Sequence, residues 1–99
     1  MNEKMKLLLE KYDDELAQLK ILPHRSEDYC GEIGIQGLQD NMKQMAHARW
    51  MIGQMVDKPN VEEWSDCKIN RWRGFIQGVL WCNKIRGILE MRGEDQDTP

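Results

Sequence analysis

Arg49 is the residue whose place in the sequence most restricts its chemistry. It falls among Leu38, Met42, Met45, Ile52 and Val56, which share one face at helical spacing. A guanidinium there must be paired, stacked or led out to water along its own stem. The simpler role is structural, with Arg49 stacked on Trp64 or Trp72 or paired with Asp66 or Glu63; the sharper one is an anion site for a partner carboxylate or a ligand phosphate. A second group lies toward the C-terminus, where Lys68, Arg71, Arg73, Lys84, Arg86 and Arg92 face only Glu90 in opposition, with Trp72 and Trp81 interleaved. Cations grip phosphates and indoles stack on bases, which is how single-strand binders work. These tryptophans nevertheless fall on crowded apolar faces and the cations scatter around the helix, so pairing between subunits with the acidic first helix is the stronger alternative. The candidate binding residues are Arg49, Arg71, Trp72, Arg73, Trp81 and Lys84.

Nothing comparable points to catalysis. His24 and His47 have no Cys, Asp or Glu at the spacing of a nucleophile dyad or metal site. No paired carboxylates and no phosphate-cradling glycine loop stand in a suitable context, so the expectation is a non-enzyme with no metal and no cofactor. Cys67 and Cys82 read as small buried hydrophobes and Cys30 as a loop thiol. Three cysteines form neither a disulfide framework nor a zinc site. Met42, Met45, Met51 and Met55 read as core filling before an adaptable binding surface.

The elements that must hold these residues are helices. Pro23 and Pro59 divide the chain into three, since proline lacks an N–H and disfavours helix just before it. Met5, Leu8, Leu9, Tyr12, Leu16 and Leu19 give residues 3–22 one apolar face, with Asn2 as cap. A connector follows, loosened by Gly31 and Gly34. Residues 35–56 form the second helix. The third spans 61–91, opened by an Asn60–Glu63 capping box and marked by an irregularity near Ser65. Residues 93–99 read as a frayed acidic tail.

The third helix is apolar or small around most of its circumference, and two other helices cover only part of it. The expectation is therefore self-association, as a dimer. Gly74 and Gly78 form a small-residue ridge that Ala46 and Gly53 of the second helix could meet. An antiparallel hairpin of helices two and three, crossed by the first, makes the expected fold all-α with three helices in one domain.

Composition fits this reading. The chain has 99 residues, 40% hydrophobic and 31% charged, with a formal charge of −3. The overall charge is that of neither a basic nucleic-acid coat nor an acidic tail. No apolar run approaches the ~18 residues of a membrane span, and Met1–Leu9 lacks the pattern of a secretory signal, which places the chain in a cytoplasm.

Two stretches, His47-Ala48-Arg49-Trp50-Met51 and Lys68 through Trp81, resemble segments of short accessory proteins of tailed bacteriophages. The two stretches lie within residues 47–81, about a third of the chain, and bring no catalytic residues with them. The resemblance implies a role: such proteins bind and block a host enzyme or a defence component. The expected function is a phage-encoded inhibitor or modulator of a bacterial host protein. A binder of nucleic acid or of a small anionic nucleotide, through Arg49 and the basic residues of the third helix, is the alternative.

Overall fold

The computed structural model describes residues 1–25, 37–57 and 62–96, and these are all-α. Among them are four helices and no strand: α1 (Glu3–Gln18), α2 (Gly37–Asp57), α3 (Asp66–Cys82) and α4 (Ile88–Gln96). Asn60, Cys30 and most of the first connector lie outside the described residues, as does the side chain of Leu38.

Asn2 starts α1 by accepting the Met5 N–H on its side-chain oxygen at 2.8 Å. Met5, Leu9, Tyr12 and Leu16 then point inward at three- and four-residue spacing. The helix stops four residues short of the expected end, leaving Leu19 exposed. The cause is Lys20, whose φ of 62° lies in the left-handed region. Lys20 N–H donates to Ala17 C=O at 2.9 Å and Ile21 N–H to Leu16 C=O at 3.2 Å. That is a Schellman closure, and it turns Ile21 into the core.

The same device divides the expected third helix. Its start is Ser65, not Val61: the Ser65 hydroxyl accepts the Lys68 N–H at 3.1 Å, with Asp66 in the first turn favouring the helix dipole. Its end is Cys82, because Lys84 adopts φ 61° and donates to Trp81 C=O at 3.0 Å, while Ile85 N–H reaches Leu80 C=O at 2.8 Å. Residues 61–91 are thus not one helix. After the turn Gly87 opens α4, with Glu90 accepting the Gly87 N–H at 3.1 Å and Met91 anchoring the helix in the core. Residues 93–96, expected to fray, belong to α4.

A lysine in the left-handed region costs about 1 kcal/mol relative to glycine. Lys20→Gly and Lys84→Gly are each expected to raise stability by up to about 1 kcal/mol in urea denaturation. An unchanged or lower midpoint would mean that the lysine side chains stabilise these turns in some other way.

α2 lies between α1 and α3 and packs on both. His47 meets Phe75 and Trp50 meets Trp72, so moving forward along α2 moves backward along α3; the two run antiparallel. The core is built from Leu9, Tyr12 and Leu16 of α1, Ala48, Ile52 and Met55 of α2, and Ile76 and Leu80 of α3. Met42, expected on this face, is exposed. So are Cys67 and Cys82, expected to be buried. The glycine ridge also faces outward: a Cβ added at Gly74 or Gly78 would meet nothing within 4 Å. α3 turns its bulky residues Ile69, Ile76, Val79 and Leu80 to the core instead, because burying branched side chains removes far more apolar surface from water than burying glycine.

Candidate functional site

The six candidate binding residues do not come together. Arg49 turns toward α1, where its Nε donates to Asp13 Oδ1 at 2.8 Å and its Nη1 to the Ile21 carbonyl at 2.8 Å. The partners considered for it on the sequence, Trp64, Trp72, Glu63 and Asp66, are not the ones it takes. The choice follows from the Schellman turn, which leaves the Ile21 carbonyl aimed at α2; a guanidinium can serve that carbonyl and a carboxylate together. The His24 N–H bonds to Ala46 C=O at 3.0 Å and holds the same segment against α2. Beside Arg49 runs a cleft of about 370 Å³ lined by Asp13, Pro23, Arg49, Trp50, Gly53, Gln54 and Asp57.

Trp72 belongs to a different assembly, an aromatic band along the α2–α3 seam. Trp64 and Trp72 meet edge to face with centroids 4.7 Å apart, and Trp72 lies 6.2 Å from Trp50. His47 stacks on Trp50 at 5.4 Å and meets the edge of Phe75 at 5.9 Å. Cations lie on two of the rings: Lys68 Nζ stands 3.8 Å above the Trp64 ring at one end of the band, and the Arg25 guanidinium lies 5.2 Å from the centroid of Trp50 in its middle. Trp50, Trp64 and Trp72 are half-buried and Phe75 is exposed, so the band is held from below and open above. Burial, then the charge of Arg25, holds the His47 pKa below 6.5. The folded state therefore favours neutral His47, and its contribution to stability is lost as pH falls below 6.5 through the folded-state value.

Sequence reasoning singled out Trp72 but missed His47, Trp50, Phe75 and Arg25 as one surface. One signal was readable: Lys43, His47, Trp50 and Gln54 recur at helical spacing on α2, away from its apolar stripe. The Arg25 contact had no such signal, since it depends on how the chain leaves α1.

The remaining candidates sit apart. Arg71 is exposed and Arg73 half-buried, both on α3. Trp81 projects from the outer side of α3 with half of its surface in solvent. Lys84 is the left-handed residue that ends the helix. Among the described residues no group of three or more His, Cys, Asp or Glu could hold a metal ion, and no helix is long and apolar enough to cross a membrane. In comparisons with known proteins, no family model, no curated protein and no solved structure matches the chain.

The arrangement bears on base stacking. A single-strand binder offers bare ring faces between cations. Here His47 and Arg25 lie on Trp50, Lys68 covers Trp64, and Trp72 is enclosed by both neighbouring indoles. What the band presents outward is a rigid, mostly apolar relief with two cations on it, the character of a protein-docking patch.

Proposed function

We propose that this chain is a non-enzymatic binding protein that docks a protein partner on the aromatic band of α2 and α3. The observation that carries this reading is the mutual packing of Trp50, Trp64, Trp72, His47 and Phe75 at a surface seam, with Lys68 on the ring at one end and Arg25 on the central Trp50. Rings already locked against one another lose little entropy on association, which makes them efficient anchors. Lys68 favours a partner with an apolar centre and a carboxylate at its rim. In keeping with the resemblance to phage accessory proteins, the partner is a bacterial host protein or defence component whose activity the chain inhibits or modulates, in the host cytoplasm.

The test is capture from bacterial lysate on the immobilised chain, with and without nuclease, beside a Lys68→Glu variant. The expected result is a nuclease-resistant protein that survives a rise from about 50 to 200 mM salt, where phosphate-dominated binding falls by orders of magnitude, and that Lys68→Glu loses. Capture abolished by nuclease, or unaffected by Lys68→Glu, would remove the band from this role and, in the first case, favour a nucleic-acid ligand.

A further inference from the structure

We propose that the cleft between α1 and the C-terminal half of α2 is a binding site for an alkylguanidinium, the group carried by an arginine side chain or by a free small guanidine. Its volume of about 370 Å³ falls within the range of small-ligand sites. Arg49 read alone from the sequence suits an anion; in the folded chain the sign reverses. Arg49 gives its Nε to Asp13 and its Nη1 to the Ile21 carbonyl, so its charge is offset inside the protomer. Asp57, which also lines the cleft, is exposed and has no cation paired with it among the described residues. The lining therefore sets two carboxylates against one guanidinium and is negative on balance. Arg25, the cation on the Trp50 ring, is not part of that lining.

Charge, shape and apolar surface together select this ligand. Asp57 lies in the last turn of α2, which holds no basic residue, so its carboxylate adds to the uncompensated negative end of the helix dipole. A planar fork of N–H donors matches a carboxylate in two parallel bonds, which a guanidinium supplies and an ammonium does not. Gln54, in the same turn, adds an amide oxygen that can accept a further N–H. Trp50 and Pro23 line the cleft with apolar surface, against which an alkyl stem leaves water while its charged head stays on the carboxylate. Gly53 keeps the passage between the indole and Asp57 clear: a Cβ added there would have Asp57 Oδ2 as its nearest neighbour, at 4.0 Å. Trp50, Gly53, Gln54 and Asp57 recur at three- and four-residue spacing, so apolar wall, open floor and carboxylate follow one another along one face of α2. Asp57 is exposed, and screening by water keeps the binding weak, with a dissociation constant on the order of 1 mM. The site does not rest on docking at the aromatic band, with which it shares only Trp50.

Amide chemical shifts of the isotope-labelled chain, followed at low salt during titration with n-butylguanidinium to tens of millimolar, test this. The expected result is a saturable shift concentrated at the Trp50 indole N–H and at the amides of Gly53, Gln54 and Asp57. Uncharged n-butylurea, of the same shape, and inorganic phosphate should leave these residues unmoved. Asp57→Asn should weaken binding at least tenfold, the scale of one lost charge-assisted contact, without lowering the melting temperature, since Asp57 has no partner in the protomer to lose. Gly53→Leu should abolish binding by filling the cleft while the helical circular dichroism stays unchanged, because its side chain starts in open space. Two further probes separate the sources: tighter binding of a capped tripeptide with a central arginine assigns the site to a partner's arginine, and tighter binding of agmatine assigns it to a free small molecule. No saturable binding, equal binding of n-butylurea, phosphate shifting the same residues, or indifference to Asp57→Asn would overturn the proposal.

Discussion

Arg86→Met is expected to destabilise the protein by about 3 kcal/mol, near the lower end for removing one partner of a buried ion pair, and to loosen α4. Arg86 lies in the turn between α3 and α4 with its side chain only 11% exposed. Its Nη2 stands 2.5 Å from Glu15 Oε1 and 3.6 Å from Glu94 Oε2, its Nη1 donates to Glu90 Oε2 at 2.9 Å, and its guanidinium lies 5.8 Å from the Tyr12 centroid. Burial alone would lower its pKa, but the carboxylates of Glu90, Glu94 and Glu15 more than offset this and raise it. Without the cation, Glu15 and Glu94 are left together with Lys11, 3.7 Å from Glu94, as the remaining compensation. Tyr12, whose hydroxyl donates to Glu94 at 3.0 Å and accepts from Gln77 at 3.3 Å, then loses the order of its partner. Urea denaturation gives the cost, and amide exchange should show α4 opening before the other helices. Arg86→Lys should recover only part of the loss, since an ammonium cannot fork to several carboxylates. A change under about 0.5 kcal/mol, the scale of an ordinary surface substitution, would show that the cluster is solvated and that Met91 alone holds α4.

Arg49→Ala should cost about 2–4 kcal/mol. The substitution leaves the Ile21 carbonyl and Asp13 without their shared donor and removes a stem packed between α1 and α2. Both groups keep some access to water, so the lower half of that range is the expected outcome in a thermal or urea melt. Arg49→Lys should retain one contact and lose the other. A fully stable Arg49→Ala protein that no longer captures its partner would instead make the cleft beside Arg49 the docking site.

The helical class and the apolar face of α1 were legible because both rest on periodicity, and burial follows periodicity closely: Met5, Leu9, Tyr12 and Leu16 needed no tertiary information. The helix ends were hidden because Lys20 and Lys84 occupy the position where glycine ordinarily announces a Schellman turn. With nothing in the sequence to stop it, α3 ran on through α4. The outward glycine ridge was misplaced for another reason. α3 is apolar or small around most of its circumference, and spacing alone does not decide which part faces inward; volume decides, and Ile69, Ile76 and Leu80 outweigh two glycines. Arg49 was recognisable as a constrained cation, but its partners lie 36 and 28 positions away in the chain, beyond any local pattern.

The aromatic band also determines how the molecule handles light. Trp50, Trp64 and Trp72 lie within 6.2 Å of a neighbouring indole, close enough for their transitions to couple, so the near-ultraviolet dichroism is dominated by these three and reports the α2–α3 seam. Trp81 stands apart with half of its surface in solvent, and its red-shifted emission is the component most open to collisional quenchers such as acrylamide. The chain thus carries two intrinsic optical channels: the dichroic couplet registers whether the seam is intact, and the quenchable emission registers whether anything has covered the far side of α3.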